Sequence, residues 1–245
     1  MSALSDKYEQ DVARYIDKIP GVKATRPPGD TGYADVKVTY GTTTSWMEVK
    51  MNHTDNLSNP RVFYSNGSWK TTYTTPAAHA AVDILNKSSF SKDFVKKIAL
   101  FSGIPLNKIK LPTTKGGLKE DGAVPLEVMK KYFDQPNVNR YIANQENYNL
   151  GKLVTEHYTL GKKAPAYYMQ AADDFYLISK FDPFKLDTRT LPNRIPLLSG
   201  KGDFKVRVAT RSDFYEIQAE IKITKMPDSK YSLKPGTQKK NPFLR

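Results

Sequence analysis

Cysteine is absent from these 245 residues. That removes disulfides, thiolate zinc sites and thiol nucleophiles together. Histidine is nearly as scarce: His53, His79 and His157 stand far apart in sequence, with no metal-ligand spacing. No run approaches the ~18 consecutive apolar residues of a membrane span. The opening MSALSDKYEQDVARYI carries charge throughout and lacks the apolar stretch of a secretion signal. The expectation is a soluble, intracellular, cytoplasmic protein with no membrane contact.

What is in surplus is positive charge. Lys and Arg number 38 against 25 Asp and Glu, a formal net charge of +13. Such a field, with release of counterions on contact, favours a polyanionic partner. Hydrophobic residues at 39% and aromatics at 11% are ordinary for a folded chain and exclude wholesale disorder.

The periodicity predicts an order of elements. At 100° per residue, Leu4, Tyr8, Val12, Ala13, Tyr15, Ile16 and Ile19 share one arc of a first helix, which Pro20-Gly21 ends. Glu9 breaks that apolar arc, and a carboxylate there is costly unless it is paired. Residues 34–40 alternate as a half-buried strand: Ala34, Val36 and Val38 on one face, Asp35 and Lys37 on the other. Residues 45–51 form a second, with Met47 and Val49 opposed to Trp46, Glu48 and Lys50. Together they read as a hairpin over 33–51. Helices are predicted at 75–86 (Thr75 as N-cap, Pro76 at the first turn), 92–101, 125–133 and, as one long helix, 139–160. Hairpins follow around Asp173-Asp174 and between 204–210 and 214–223. The predicted organisation is one α/β (α+β) domain over 1–224 with a mixed sheet flanked by helices. It has a helical insertion at about 75–160 and a β-rich part at 165–224, followed by a basic, Pro-interrupted tail at 225–245 that reads as a flexible arm.

The chemistry concentrates in Tyr33-Ala34-Asp35 and Trp46-Met47-Glu48-Val49-Lys50. Two carboxylates converging across a strand pair make a hard oxygen site suited to Mg²⁺, with the Val49 carbonyl as a further ligand. A lysine on the same face can hold water or counter charge on a phosphate. Asp30 is an alternative first acidic residue, but it sits in a Pro/Gly turn.

This pattern resembles the PD-(D/E)XK nuclease superfamily, with its restriction-endonuclease-like fold. The resemblance rests on the first ~50 residues, and Ala34 stands where the family's proline does. It implies Asp35 and Glu48 as metal ligands, Lys50 as the catalytic lysine and Glu9 as a first-helix glutamate facing the site. It also implies Mg²⁺, with Mn²⁺ as a substitute, and double-stranded DNA as substrate. A small, sequence-specific type II restriction-like endonuclease is the expectation, and a homodimer follows from cutting two strands. Phage, homing and junction-resolving nucleases share the core.

Acidic-x-Lys also occurs at Asp35-Lys37, Asp203-Lys205, Glu220-Lys222 and Asp228-Lys230, so alternating charge on an exposed strand can produce it without function. Asp203 with Glu220-Ile221-Lys222 is the rival constellation. It lacks a preceding helix and following helices. His53, close behind the catalytic strand, is a candidate substrate contact. Lys201, Arg207 and Arg211 put cations on a β-ribbon that could meet DNA. Two other classes stay open: a non-catalytic basic DNA-binding protein, and a structural protein whose tail holds a partner.

Overall fold

The computed structural model describes residues 3–27, 32–187, 194–198 and 200–244. In chain order the elements begin with α1 (Ala3–Asp17), β1 (Val22–Thr25), β2 (Val36–Tyr40), β3 (Thr43–Lys50), β4 (Phe63–Ser65) and β5 (Ser68–Lys70). They continue with α2 (Pro76–Lys87), α3 (Ser89–Ser102), α4 (Leu126–Phe133), β6 (Tyr141–Asn149) and α5 (Gly151–Leu160). The last are β7 (Ala166–Ala171), β8 (Asp174–Leu177), β9 (Lys201–Thr210) and β10 (Tyr215–Lys225). The architecture is mixed α/β, as the alternation of periods predicts.

The residues divide into two compact units. One gathers Met1–Asp55, Asn149–Lys201 and Ile223–Arg245; the other gathers Asn56–Tyr148 and Gly202–Lys222. Against expected insertion boundaries near 75 and 160, the chain passes between units after residues 55 and 148.

The first unit holds a five-stranded sheet in the order β1-β2-β3-β7-β8. β1, β2 and β3 form an antiparallel meander. The β2–β3 connection is the two residues Gly41-Thr42, with Gly41 at φ 60°, a conformation glycine adopts without steric cost. β3 then pairs in parallel with β7. A parallel neighbour requires a crossover, and α5, which packs beside β7, supplies its helix. Val36 and Val38 of β2 and Met47 and Val49 of β3 turn to one core with Val12, Ala13 and Ile16 of α1. The strand period of two therefore sends Trp46, Glu48 and Lys50 to the opposite face. The second unit contains α2, α3, α4, the β4–β5 hairpin and most of the sheet β10-β9-β6.

Two expectations fail. The long helix over 139–160 is in fact strand β6 followed by α5. The cause is local: Asn side chains compete for backbone groups and weaken a helix. Asn139 accepts from the Tyr141 amide, Asn149 accepts from the Gly151 amide at the start of α5, and Asn147 takes φ 55°. One edge of 141–149 then pairs with β9 in a sheet. The C-terminal arm is also ordered. Leu233 is fully buried and Phe243 nearly so, in the same core as Val36 and Met47. The Leu233 amide donates to Gln170 Oε1 at 2.7 Å, and Gln170 is itself fully buried on β7. The anchors Tyr231, Leu233 and Phe243 follow no period, so pattern reading passes over them.

Leu233→Ala should therefore cost about 2–5 kcal/mol of unfolding free energy, the range for a truncated core leucine. Denaturant unfolding of the two proteins checks this; a loss below ~0.5 kcal/mol would mean the segment is a loose arm after all.

Candidate functional site

The register Val36↔Met47 puts Asp35, one residue before β2, across from Glu48. Asp35 Oδ2 accepts from the Val49 amide at 2.8 Å, which fixes its carboxylate against β3. This contact is made through the Val49 N–H. Glu48 is 2% exposed. Lys50 Nζ donates to its Oε1 at 2.7 Å, and Lys162 Nζ lies 3.3 Å from Oε2. Tyr158, fully buried on α5, adds a hydrogen bond to the same carboxylate. Oε2 of Glu48 is buried without a hydrogen bond of its own.

The electrostatics separate the two acids. Burial raises the Asp35 pKa, and the negative charge of Glu48 raises it further, to about 7. Lys50 and the Val49 amide pull the other way without prevailing. Burial would also raise Glu48, but Lys50 and Lys162 outweigh it and hold Glu48 below its ordinary value. Burial would lower Lys50, yet Glu48, Tyr158 and Asp35 lift it well above the ordinary lysine value, so it stays a cation. His157 is driven down to about 4 by burial and by Lys162, and is neutral at pH 7.

The donor set fits a divalent cation of the Mg²⁺ class. Two carboxylates share a site, burial and then the charge of Glu48 raise the pKa of Asp35, and Glu48 Oε2, ion-paired to Lys162, is buried without a hydrogen bond. A cation between them would relieve that repulsion.

Glu9 is 3% exposed, and its burial has a local explanation: Arg26 Nε donates to it at 2.7 Å and also holds Asp6 at 2.8 Å. Its charge nonetheless adds to the rise of Asp35. Asp30 lies outside the described residues. His53 pairs with Asp174 at 2.8 Å. Asp173, Asp174 and His53 have ligand-type atoms within 4.8 Å of one another. Lys239 already engages both carboxylates, at 3.2 and 2.6 Å, so this cluster reads as an ion-pair clasp on the C-terminal segment.

Of the ribbon cations, Lys201 is exposed. Arg207 is paired with Glu220 at 2.5 Å and Arg211 with Glu216 at 3.1 Å. The rival constellation is thereby neutralised: Glu220 belongs to Arg207, and Asp203 to Lys205 at 3.4 Å. Sequence reading missed Arg26, Tyr158 and Lys162. Their signal is spatial: Arg26 reaches back to α1 from the end of β1, and Tyr158 and Lys162 depend on α5 running beside β7, the neighbour of β3 in the sheet. Comparison with protein-family models, curated proteins and solved structures gave no match.

The raised Asp35 pKa fixes a direction. A carboxyl whose folded-state pKa exceeds its unfolded value contributes stability below the unfolded pKa and loses it as pH rises through the folded one. Metal-free protein should lose stability relative to Asp35→Asn as pH climbs from about 4 to 7. Thermal unfolding of both proteins across that window checks it, and parallel curves would show that Asp35 titrates as an ordinary aspartate.

Proposed function

We propose that this chain is a Mg²⁺-dependent DNA endonuclease of the PD-(D/E)XK kind, hydrolysing phosphodiester bonds. The observation that carries the reading is the pair of opposed carboxylates, Asp35 tied to the Val49 amide and Glu48 tied to Lys50. The element order supports it: α1, the antiparallel meander β1-β2-β3, α5, then β7 parallel to β3. The first unit thus runs helix, three strands, helix, strand. The net charge of +13 suits a polyanionic substrate.

In this reading Asp35 and Glu48 hold Mg²⁺ or Mn²⁺, with the Val49 carbonyl as a further oxygen donor. The ion, when bound, supplies positive charge at the scissile phosphate and acidity to water. Lys50, a permanent cation at neutral pH, counters the negative charge that builds on the phosphate as water attacks. Its raised pKa argues against a role as general base. Lys162 and Tyr158 hold the Glu48 carboxylate in place. Glu9 acts through its charge on Asp35. The substrate is double-stranded or locally opened DNA, and a homodimer would bring two such sites to two strands.

Glu48 is already flanked by two ammonium groups, which favours a second reading: a buried ion-pair network in a non-catalytic DNA-binding protein.

Plasmid cleavage with and without Mg²⁺ separates the two. Lys50→Ala should cut about 10²–10³-fold more slowly, the loss typical of one preorganised charge. Lys37→Ala and Lys222→Ala should cut normally. No cleavage under any metal condition supports the binding protein; a dead Lys222→Ala with an active Lys50→Ala moves the site to the second unit.

A further inference from the structure

Beside the two carboxylates, and on the same unit, lies an aromatic pair with no part in the chemistry above. The rings of Tyr33 and Trp46 stack at 4.5 Å between centroids and 13° between planes. They are not core: Tyr33 is 38% exposed and Trp46 half-buried. Trp46 shares its strand face with Glu48 and Lys50, and two residues of strand place it about 7 Å from Glu48. Lys163 completes the arrangement. Its ammonium lies 5.6 Å from the Tyr33 ring centre, and its amide donates to the Gly32 carbonyl at 2.9 Å. Gly32 sits at φ 74°, and the Lys163 methylenes run 3.2–3.5 Å from where its Cβ would stand. A larger residue at 32 would push the lysine off the ring.

We propose that Tyr33, Trp46 and Lys163 form a stacking subsite for one unpaired nucleobase of the strand whose phosphate is cut. The proposal rests on the nuclease reading and names its substrate class: DNA with an unstacked nucleotide at the site, as in a single strand, a flap or a branch. The physical reason is access. Inside a paired helix both faces of a base are covered by neighbouring bases, so a protein ring can stack only on a base that has left that stack. Trp46 covers one face of Tyr33 and the exposed Lys163 ammonium lies over the ring; a base takes the outer face as the lysine turns to the backbone, the combination of ring and cation that binds single strands. The two-residue spacing to Glu48 is one that a single nucleotide of an open strand can bridge. Lys50 and Lys162 lie on the phosphate side of that span.

The test uses the metal-free, full-length protein. Emission from Trp46, taken as the difference between wild type and Trp46→Phe, should be quenched by a short single-stranded oligonucleotide. The same sequence as a blunt duplex, or an abasic strand of equal length, should quench much less. Tyr33→Ala, at an exposed position, should weaken single-strand binding roughly five- to hundredfold, the equivalent of one stacked base. The abasic strand should bind Tyr33→Ala and wild type alike. Equal quenching by duplex or abasic strand overturns the subsite, as does an unchanged affinity of Tyr33→Ala. If Trp46→Phe does not fold, the Tyr33→Ala affinities decide alone. Because nothing turns over in these measurements, the two readings fail separately. Selective quenching in a protein that never cuts keeps the subsite and removes the nuclease; Mg²⁺-dependent cutting without it does the reverse.

Discussion

Burial of the Glu48 carboxylate is the constraint from which the rest of the first unit follows. A charge with 2% exposure is expensive unless cations and hydrogen bonds surround it. Lys50 answers from the same strand face, two residues on. The other partners, Tyr158 and Lys162, must come from α5 and the turn after it. For them to arrive, β7 has to run parallel to β3 with α5 in the crossover between. One buried acid thus ties the meander to the elements that return after the second unit. Replacing Glu48 by an apolar residue could leave the fold standing, since such networks are often neutral to stability.

The other buried carboxylates sharpen that contrast. Glu9 sits on Arg26, Asp174 on Lys239, Glu216 on Arg61 and Arg211, and Glu220 on Arg207. Each has a cation matched to it, and each accounts for a piece of architecture. Asp35 is held by a backbone amide, and its pKa rises to about 7 under burial and the charge of Glu48. It is the acid whose charge the fold leaves least compensated. Under the proposed function, Asp35 is where a cation from outside would enter, beside a Glu48 already balanced by Lys50 and Lys162.

The parts of this site carried by local periods were legible in the sequence. Alternation set Val36, Val38, Met47 and Val49 inward, and by the same rule put Glu48, Lys50 and Trp46 together on the other face. The Glu9 interruption pointed to a compensated carboxylate, but its partner Arg26 stands just past β1 and carries no pattern of its own. Residues 141–149 misled because a sheet pairing, invisible in sequence, outweighed weak helix propensity. The C-terminal segment misled for the opposite reason: Tyr231, Leu233 and Phe243 are single anchors on an irregular backbone, and an aperiodic segment with scattered buried side chains looks like a tail. Tyr158 and Lys162 needed the parallel pairing of β3 with β7 before their positions could mean anything.

The charge balance also changes meaning once the pairs are known. With 38 Lys and Arg against 25 Asp and Glu, thirteen cations remain even if every acid takes one, so the long-range field on a polyanion survives. What changes is which groups are ready for it. Arg207 and Arg211 are the ribbon residues best suited to read guanine edges, because a guanidinium fork grips two acceptors at once. Both are engaged by buried carboxylates: releasing Arg207 would strand Glu220, which is 9% exposed, and releasing Arg211 would leave Glu216, 4% exposed, to Arg61 alone. Under the proposed function, sequence-specific readout by these two arginines is therefore costly, while exposed lysines such as Lys163 and Lys201 contact backbone without regard to sequence. Selectivity is then left to shape and to the state of the strand. The same conclusion follows from the stacked rings of Tyr33 and Trp46, whose faces distinguish an open base from a paired one but not one base from another.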